Sequence, residues 1–364
     1  MAAAGATGNR FERAPRRTLF AASAVVLVAG LAFLELLVRA APADFYAAEL
    51  RAGTPARDLE PTARPTLLAL GDSFTANPEG WVAVLRARLG AGRRVVGSGV
   101  SGFTTRQIAR IAPGRIARFS PRVVVVQLYA GNDLLETSHP LSLRRGGLAR
   151  TLFWALSDAG LELPGLLNYR LGQAWGAFLR RRGDAPITPA GRAALEALPF
   201  DPARYTARDR DLLALDPSIV ERQLRLTGGM EEAFAAYAER LRSVLSACRD
   251  AGAAAVVFVV PHAVEVSPVY RERFEALGAR FEAPAELAAP ESAFGLAVRR
   301  VVASEAGATF LDVKPALRAA EAQGRPVYRN NDSHFAPEGD RAVVEALLPL
   351  LARSGFGAEG ASEK

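Results

Sequence analysis

The stretch Thr66-Leu67-Leu68-Ala69-Leu70-Gly71-Asp72-Ser73-Phe74 joins a short apolar run to a polar turn that contains a serine. An apolar run without alternation is typical of a strand covered on both faces, as in a parallel sheet. In open parallel sheets, ligands bind at the edge formed by the carboxyl ends of the strands. The stretch therefore predicts an α/β fold that holds Ser73 at the ligand-binding edge of its sheet.

Apolar runs of the same kind recur along the chain and alternate with helical patterns, which indicates parallel strands joined by crossover helices. The predicted strands are Thr66–Leu70, Arg93–Val96, Arg122–Leu128, Ala254–Val260 and Ala308–Leu311. The predicted helices are Trp81–Leu89, Thr104–Ile111, Met230–Asp250, Ser292–Ala306 and Pro337–Ala352. The patterns therefore predict a parallel sheet of five strands.

Three other polar turns lie near the predicted carboxyl edge. They are Gly99-Val100-Ser101-Gly102-Phe103-Thr104-Thr105, Ala130-Gly131-Asn132-Asp133 and Asn331-Asp332-Ser333-His334. Each turn alone is also compatible with an ordinary loop or helix cap. Together with Ser73, they supply a nucleophile, backbone donors, an asparagine and an aspartate–histidine pair, which is the set that acyl transfer needs.

With these turns the chain resembles the SGNH hydrolases of the GDSL superfamily. Gly71-Asp72-Ser73-Phe74 is similar to the first sequence block of that superfamily, Gly102 to the second, Gly131-Asn132-Asp133 to the third and Asp332-Ser333-His334 to the fifth. The resemblance implies a three-layer α/β/α, flavodoxin-like fold with a five-stranded parallel sheet. It also implies esterase, lipase or acyltransferase chemistry without a cofactor.

The resemblance gives each site residue an expected role. Ser73 is expected to be the nucleophile, His334 its general base, and Asp332 the acid that orients the imidazole. The oxyanion is expected to be held by the amides of Ser73 and Gly102 and by the side chain of Asn132. Asp133 is expected to support the Asn132 turn through local hydrogen bonds.

Two positions depart from the pattern of the superfamily. Gly97 stands where the second block often has asparagine, so one supporting hydrogen bond is expected to be absent. Asn331 stands where many members carry the acid, three residues before the histidine. Because stabilising an imidazolium requires a carboxylate, we assign the acid to Asp332, with Asn331 and Asp312 as the alternatives.

The other two histidines and the single cysteine limit which further sites the chain can form. His262 follows the fourth predicted strand, where it is a candidate substrate-pocket residue or the cap of a loop. His139 is expected to be an exposed loop residue. With one cysteine, Cys248, and three histidines in the chain, we predict no metal site and no internal disulfide.

The N-terminal region has the pattern of a membrane anchor. Four arginines lie within residues 1–17, and the apolar stretch 18–38 is about 31 Å long as a helix, enough to span a bilayer. The positive-inside rule predicts a cytoplasmic N-terminus and an extracytoplasmic catalytic domain, in the periplasm or at the cell exterior. A signal peptide cleaved at Ala41-Pro42-Ala43 is the alternative.

The remainder of the chain is predicted to contain a linker at 39–65, a hydrolase domain at 66–352 and a flexible tail at 353–364. A helical insertion is predicted at 140–226, with amphipathic segments at Leu148–Ser157 and Leu166–Arg182. Because apolar stripes usually face a core, the insertion is expected to pack on the sheet. A lid or an element resting on the membrane is the alternative.

The composition of the chain limits the classes of partner that it is expected to bind. The net charge of +7 comes from scattered arginines, and no nucleic-acid-binding module accompanies it, so nucleic acid is not predicted as a partner. The expected partners are an acyl ester substrate, either a lipid or an acylated glycan, and a membrane. The predicted activity is ester hydrolysis through an acyl-enzyme. An O-acyltransferase that acts on a cell-surface polysaccharide and a catalytically silent binding protein are the alternatives.

Overall fold

The computed structural model describes residues 15–40, 45–131, 133–137, 148, 155–156, 161–183, 194 and 198–357. The chain divides into two compact units. The first comprises the described parts of Met1–Phe45 and Gly146–Pro186. The second comprises those of Tyr46–Arg145 and Ile187–Lys364, and it contains the sheet.

The second unit is built on a five-stranded, fully parallel sheet with the strand order β2-β1-β3-β4-β5. The strands are β1 (Thr66–Gly71), β2 (Arg94–Gly99), β3 (Val123–Tyr129), β4 (Ala254–Val260) and β5 (Ala308–Leu311). The predicted α/β architecture and the five predicted strands are therefore confirmed. The register sets Gly71 opposite Gly99, and Tyr129 opposite Val260, so the turns after these four strands leave the same edge.

Helices account for most of the remaining described residues. They are α1 (Pro15–Ala40), α2 (Ala47–Gly53), α3 (Ala56–Leu59), α4 (Ser73–Ala76), α5 (Trp81–Leu89), α6 (Thr105–Phe119), α7 (Asp133–Thr137), α8 (Leu163–Gly183), α9 (Ala207–Leu215), α10 (Ile219–Arg225), α11 (Met230–Asp250), α12 (Ala263–Val266), α13 (Pro268–Ala276), α14 (Pro284–Leu287), α15 (Ala293–Ala303), α16 (Lys314–Ala322) and α17 (Pro337–Arg353). The five predicted helices correspond to α5, α6, α11, α15 and α17.

The core lies where the strands meet their covering helices. All residues of β1, β2 and β3 are buried, which explains why these strands lack an alternating polar pattern. The long helix α11 packs against α6 and β4 with its apolar stripe, which includes Tyr237 and Leu241. This burial fixes the sheet as a rigid platform for the turns at its carboxyl edge.

Residues 46–59 lie within the segment that the sequence assigns to the linker, but they pack on the sheet through α2 and α3. Helix α2 lies against β2, where the hydroxyl of Thr54 donates to the carbonyl oxygen of Gly97 and accepts its N–H, both at 2.9 Å. Tyr46 and Leu50 are buried there. The prolines that suggested a spacer include Pro55, which precedes the first residue of α3 at its N-cap.

The same packing explains the glycine at position 97. A Cβ on Gly97 would lie 2.8 Å from the carbonyl oxygen of Gly53, closer than a carbon and an oxygen approach without a shift of the backbone. The asparagine that is common in this block therefore has no room in this chain.

We expect Gly97→Ala to lower the free energy of unfolding by about 1–3 kcal/mol, the usual cost of overpacking a dense interior. Thermal unfolding of the full chain in detergent measures the change. Gly114→Ala is the matched control, because Gly114 lies in α6 with open space where its Cβ would be. A Gly97→Ala protein as stable as this control would contradict the packing described here.

The predicted insertion does not behave as one element. Helix α8 belongs to the first unit with α1, whereas α9 and α10 belong to the unit that contains the sheet. The insertion is therefore divided between the two units, and for α8 the expectation of packing on the sheet stays a prediction. Of the predicted segment Leu148–Ser157, only Leu148, Ala155 and Leu156 are among the described residues.

Residues 353–357 of the tail predicted as flexible are held by packing, because Phe356 is buried and the side chain of Arg93 donates to the carbonyl oxygen of Gly357 at 3.1 Å. Helix α1 is long and apolar enough to cross a membrane, with a mean hydropathy of 2.4. A signal sequence meets the same criterion.

Candidate active site

Ser73 is the first residue of the short helix α4, directly after β1. Asp72 caps this helix by accepting the N–H of Phe74 at 2.9 Å, and the N–H of Asp72 donates to the side chain of Gln127 at 3.1 Å. Gly71 permits this turn, since a Cβ there would lie 2.4 Å from the Gln127 side-chain oxygen. The turn therefore holds Ser73 by its backbone and leaves its hydroxyl for other partners.

The structure brings Ser73, His334 and Asp332 into one hydrogen-bonded chain. Ser73 Oγ lies 2.7 Å from His334 Nε2, and His334 Nδ1 lies 2.7 Å from Asp332 Oδ1. Ser73 and His334 are 261 residues apart in the sequence. A hydroxyl, an imidazole and a carboxylate in this order can transfer a proton from the hydroxyl to the imidazole while the carboxylate orients the ring.

Of the three candidates for the acid, Asp332 is the one that contacts His334. Asn331 is turned toward the backbone of residues 199–201, and Asp312 faces Arg299 at 3.5 Å and accepts the N–H of Lys314. The second oxygen of Asp332 lies 4.0 Å from the guanidinium of Arg329. The geometry thus supports the assignment made from charge alone.

The loop that carries Asp332 and His334 is held by a segment that sequence reasoning placed in the insertion. The amide of Asn331 donates to the carbonyl oxygen of Pro199 at 3.0 Å and accepts the N–H of Asp201 at 2.8 Å. The hydroxyl of Ser333 donates to Asp209 at 2.5 Å. Hydrophobic periodicity gives no signal for such contacts between side chains and backbone, so residues 198–209 were missed as part of the site.

The electrostatics of the hydrogen-bonded chain favour an imidazole that binds a proton. Burial alone would lower the pKa of His334, but the hydrogen bond and the charge of Asp332 outweigh it and raise that pKa. Burial likewise opposes ionisation of Asp332, yet its contacts with His334 hold its pKa below the usual value. Both shifts stabilise the ion pair that forms when Ser73 gives up its proton.

Two more carboxyl groups lie close to the hydrogen-bonded chain. Burial raises the pKa of Asp72 to about 6, although the N–H of Phe74 and the charge of His334 act against it. Burial raises the pKa of Asp340 to about 7, opposed by the N–H of Trp81. Asp340 lies in the first turn of α17, shortly after the Asp332–His334 motif. The sequence analysis missed it, and its short distance in sequence from that motif is the signal that could have identified it.

A cavity of about 310 Å³ opens onto the hydroxyl of Ser73. The residues that line it are Ser73, Phe74, Ala76, Asn77, Pro78, Ser101, Arg329, Asp332, His334, Phe335 and Asp340. Apolar rings and polar side chains share the wall, and Arg329 supplies a positive charge. The cavity can therefore hold a small polar or partly apolar group next to the serine.

The remaining predicted site residues have different outcomes. Gly102 lies in the turn after β2 with a φ of +80°, beside the cavity-lining Ser101, and Asn132 lies outside the described residues. Asp133 accepts the N–H of Tyr129 at 2.9 Å, which anchors the end of β3. His139 also lies outside the described residues.

His262 is buried away from the residues that line the cavity. The ring Nδ1 of His262 accepts the backbone N–H of Val264, and the backbone N–H of His262 donates to the side chain of Glu265. His262 therefore caps the short helix α12. Burial lowers its pKa to about 4, which keeps the ring neutral. Of the two interpretations of the sequence, the structure thus places His262 in the capping position.

Residues 69–342 match the model of a GDSL-like lipase/acylhydrolase family. The chain is similar to the solved structure of TesA, at 18% identity over 79% of this chain and 99% of that chain, with a TM-score of 0.38. It is also similar to a catalytic mutant of Axe2, an acetylxylan esterase from Geobacillus stearothermophilus, at 14% identity over 82% and 97%, with a TM-score of 0.39. No curated protein sequence matches the chain.

Proposed function

The chain belongs to the GDSL-like lipase/acylhydrolase family and is an ester-bond hydrolase, and we propose that it works through an acyl-enzyme formed on Ser73. The observation that supports this proposal is the continuous hydrogen-bonded chain from Ser73 through His334 to Asp332, with 2.7 Å at each step. A serine hydroxyl needs such a neighbouring base because it is scarcely ionised by itself.

In the proposed reaction, His334 Nε2 takes the proton of Ser73 as the hydroxyl oxygen attacks the ester carbonyl carbon. The imidazolium then gives this proton to the departing alcohol, which leaves the acyl group on Ser73. Water attacks the acyl-enzyme by the same route and releases the acid. Asp332 stabilises the imidazolium in both halves of the reaction and orients its ring.

The oxyanion is proposed to be stabilised by the amides of Ser73 and Gly102 together with the side chain of Asn132. Ser73 begins a helix and Gly102 lies in a turn beside the cavity, two positions where backbone N–H groups are free of the sheet ladder. Such donors act on the charge that develops in the transition state rather than on the substrate.

We further propose a short acyl group as the preferred one. The cavity volume of about 310 Å³ lies at the small end of the roughly 300–1,000 Å³ that ligand pockets occupy. The test is hydrolysis of p-nitrophenyl esters from acetyl to palmitoyl, with labelling of Ser73 by a fluorophosphonate. A rate that peaks at acetyl or butyryl supports the proposal, and absence of both turnover and label would refute the acyl-enzyme.

The place of the reaction is proposed to be the extracytoplasmic face of a membrane, with α1 as the anchor. Four arginines lie before α1 or in its first turn, and they support this orientation together with the apolar surface of that helix. Addition of an acetylated or free polysaccharide to the ester assay separates hydrolysis from transfer, because transfer requires the acyl group to appear on the glycan.

The raised pKa of His334 predicts the pH dependence of the reaction. His334 must be neutral to accept a proton, so kcat/KM should fall as the pH falls through its pKa, with a midpoint above the ordinary histidine value of about 6.5. A pH profile on a non-ionising ester measures this midpoint. In Asp332→Asn the midpoint should move to lower pH, and an unchanged midpoint would contradict the electrostatic role of Asp332.

A further inference from the structure

The outer end of α1 contacts a segment more than one hundred residues further along the chain. The carboxylate of Glu35 accepts the N–H of Glu162 at 2.9 and 3.0 Å and the N–H of Leu163 at 2.8 Å. It also accepts a hydrogen bond from Arg39 at 2.6 Å. Glu35 is 7% exposed, so its charge is surrounded by these partners. The carboxylate therefore caps the N-terminus of α8.

This cap explains an acidic residue near the end of the apolar stretch of α1. A carboxylate near the end of a membrane span is costly unless it has partners, and first-turn N–H groups are orphan donors that attract negative charge. Each group therefore satisfies the other. Cleavage at residues 41–43 would remove Glu35 and leave the N-terminus of α8 without this partner, so the contact favours retention of α1.

Helix α8 presents an exposed apolar face next to this anchor. Leu167, Leu171 and Phe178 are exposed and lie four and eleven positions apart, which puts them on one side of the helix. The sequence of α8 contains four arginines and no acidic residue. The aromatic ring of Tyr169 lies 5.4 Å from the guanidinium of Arg170.

We propose that α8 is a second membrane-contacting element, held at the outer surface by Glu35 and docked on anionic phospholipid. Exposed apolar side chains, in a helix whose sequence has an excess of arginine over acidic residues, are the composition that binds such a surface. Continuity with the apolar surface of α1 makes the lipid surface the natural partner of this face. The inference rests on the membrane anchoring in the proposed function and adds to it a lipid-binding surface formed by α8.

The test uses the full chain in vesicles of phosphatidylcholine and phosphatidylglycerol. Cys248 is the single cysteine and is buried, so a spin label attaches to an introduced cysteine. Leu171→Cys reports on α8, and Val269→Cys is the matched control, since these side chains are 67% and 50% exposed. We expect the label at 171 to collide more with oxygen than with a water-soluble nickel complex, and the label at 269 to show the reverse.

Two further measurements complete the design. Glu35→Ala should make the label at 171 accessible to the nickel complex, with Ser73-dependent ester hydrolysis unchanged, and the intact mass should include α1. A label at 171 that is exposed to water in vesicle-bound protein, an unaffected Glu35→Ala protein, or a mass that lacks α1 would overturn the inference. Protein that washes off the vesicles would instead contradict the membrane anchoring of the proposed function.

Discussion

Ser73→Ala is expected to lower kcat for ester hydrolysis by roughly 10⁶-fold, the scale on which removal of the nucleophile acts in serine hydrolases. The loss is large because no second hydroxyl is hydrogen-bonded to His334 among the described residues. Burst and steady-state kinetics on p-nitrophenyl acetate measure it. Fluorophosphonate labelling should disappear in the same variant.

Ser101→Ala is the matched control for this substitution. Ser101 lines the same cavity as Ser73 but is not hydrogen-bonded to the imidazole in the described part of the chain, so its variant should keep the label and stay within about tenfold of the parent rate. The fold should survive in Ser73→Ala, because the backbone rather than the hydroxyl of Ser73 builds the turn. Retained hydrolysis in Ser73→Ala would mean that another residue is the nucleophile.

Much of the sheet could be predicted because burial of a strand requires apolar residues along its whole length. Buried strands such as Val123–Tyr129 are apolar throughout, and this pattern does not depend on distant contacts. The short helices α2 and α3 have no such pattern in their sequence. They have too few residues for helical periodicity, and Pro55, the N-cap of α3, is equally typical of a linker.

Sequence motifs identify candidate members of the site, but they do not identify the contacts that hold these residues in place. The motifs that contain Ser73 and His334 identify groups capable of acyl chemistry, and the parallel topology carries their turns to one edge. The contacts of Asn331 with residues 199–201 and of Ser333 with Asp209 join distant segments through single hydrogen bonds. No local pattern encodes such contacts, so they require the folded structure.

The amphipathic pattern of α8 could also be predicted from the sequence, but its contact with α1 could not. An apolar stripe on a helix is compatible with a protein core or with lipid, and the sequence alone favoured the core. The observation that supports the lipid alternative is the grouping of α8 with α1 through Glu35, a contact over 127 residues. The identity of the neighbour is therefore a property of the tertiary structure.

Asp332→Asn is expected to lower kcat by about 10⁴-fold, as loss of the orienting carboxylate does in serine hydrolases of this mechanism. The amide cannot accept a hydrogen bond as strongly from His334 Nδ1, and it cannot offset the charge of the imidazolium. Asp332 is 2.7 Å from that nitrogen, whereas Asn331 is engaged with the backbone of 199–201. Steady-state kinetics on p-nitrophenyl acetate measure the loss.

Asp312→Asn separates this effect from a general loss of negative charge. Asp312 pairs with the half-exposed Arg299, and an ion pair of that kind contributes about 0–1 kcal/mol to stability, so its variant should keep the parent rate. Asn331→Asp in the Asp332→Asn background should not restore activity, because the side chain at 331 is turned away from His334. Restored activity in that double variant would assign the acid to position 331, and a large loss in Asp312→Asn would assign it to Asp312. Either result would mean that the hydrogen-bonded chain of Ser73, His334 and Asp332 is not the one used in catalysis.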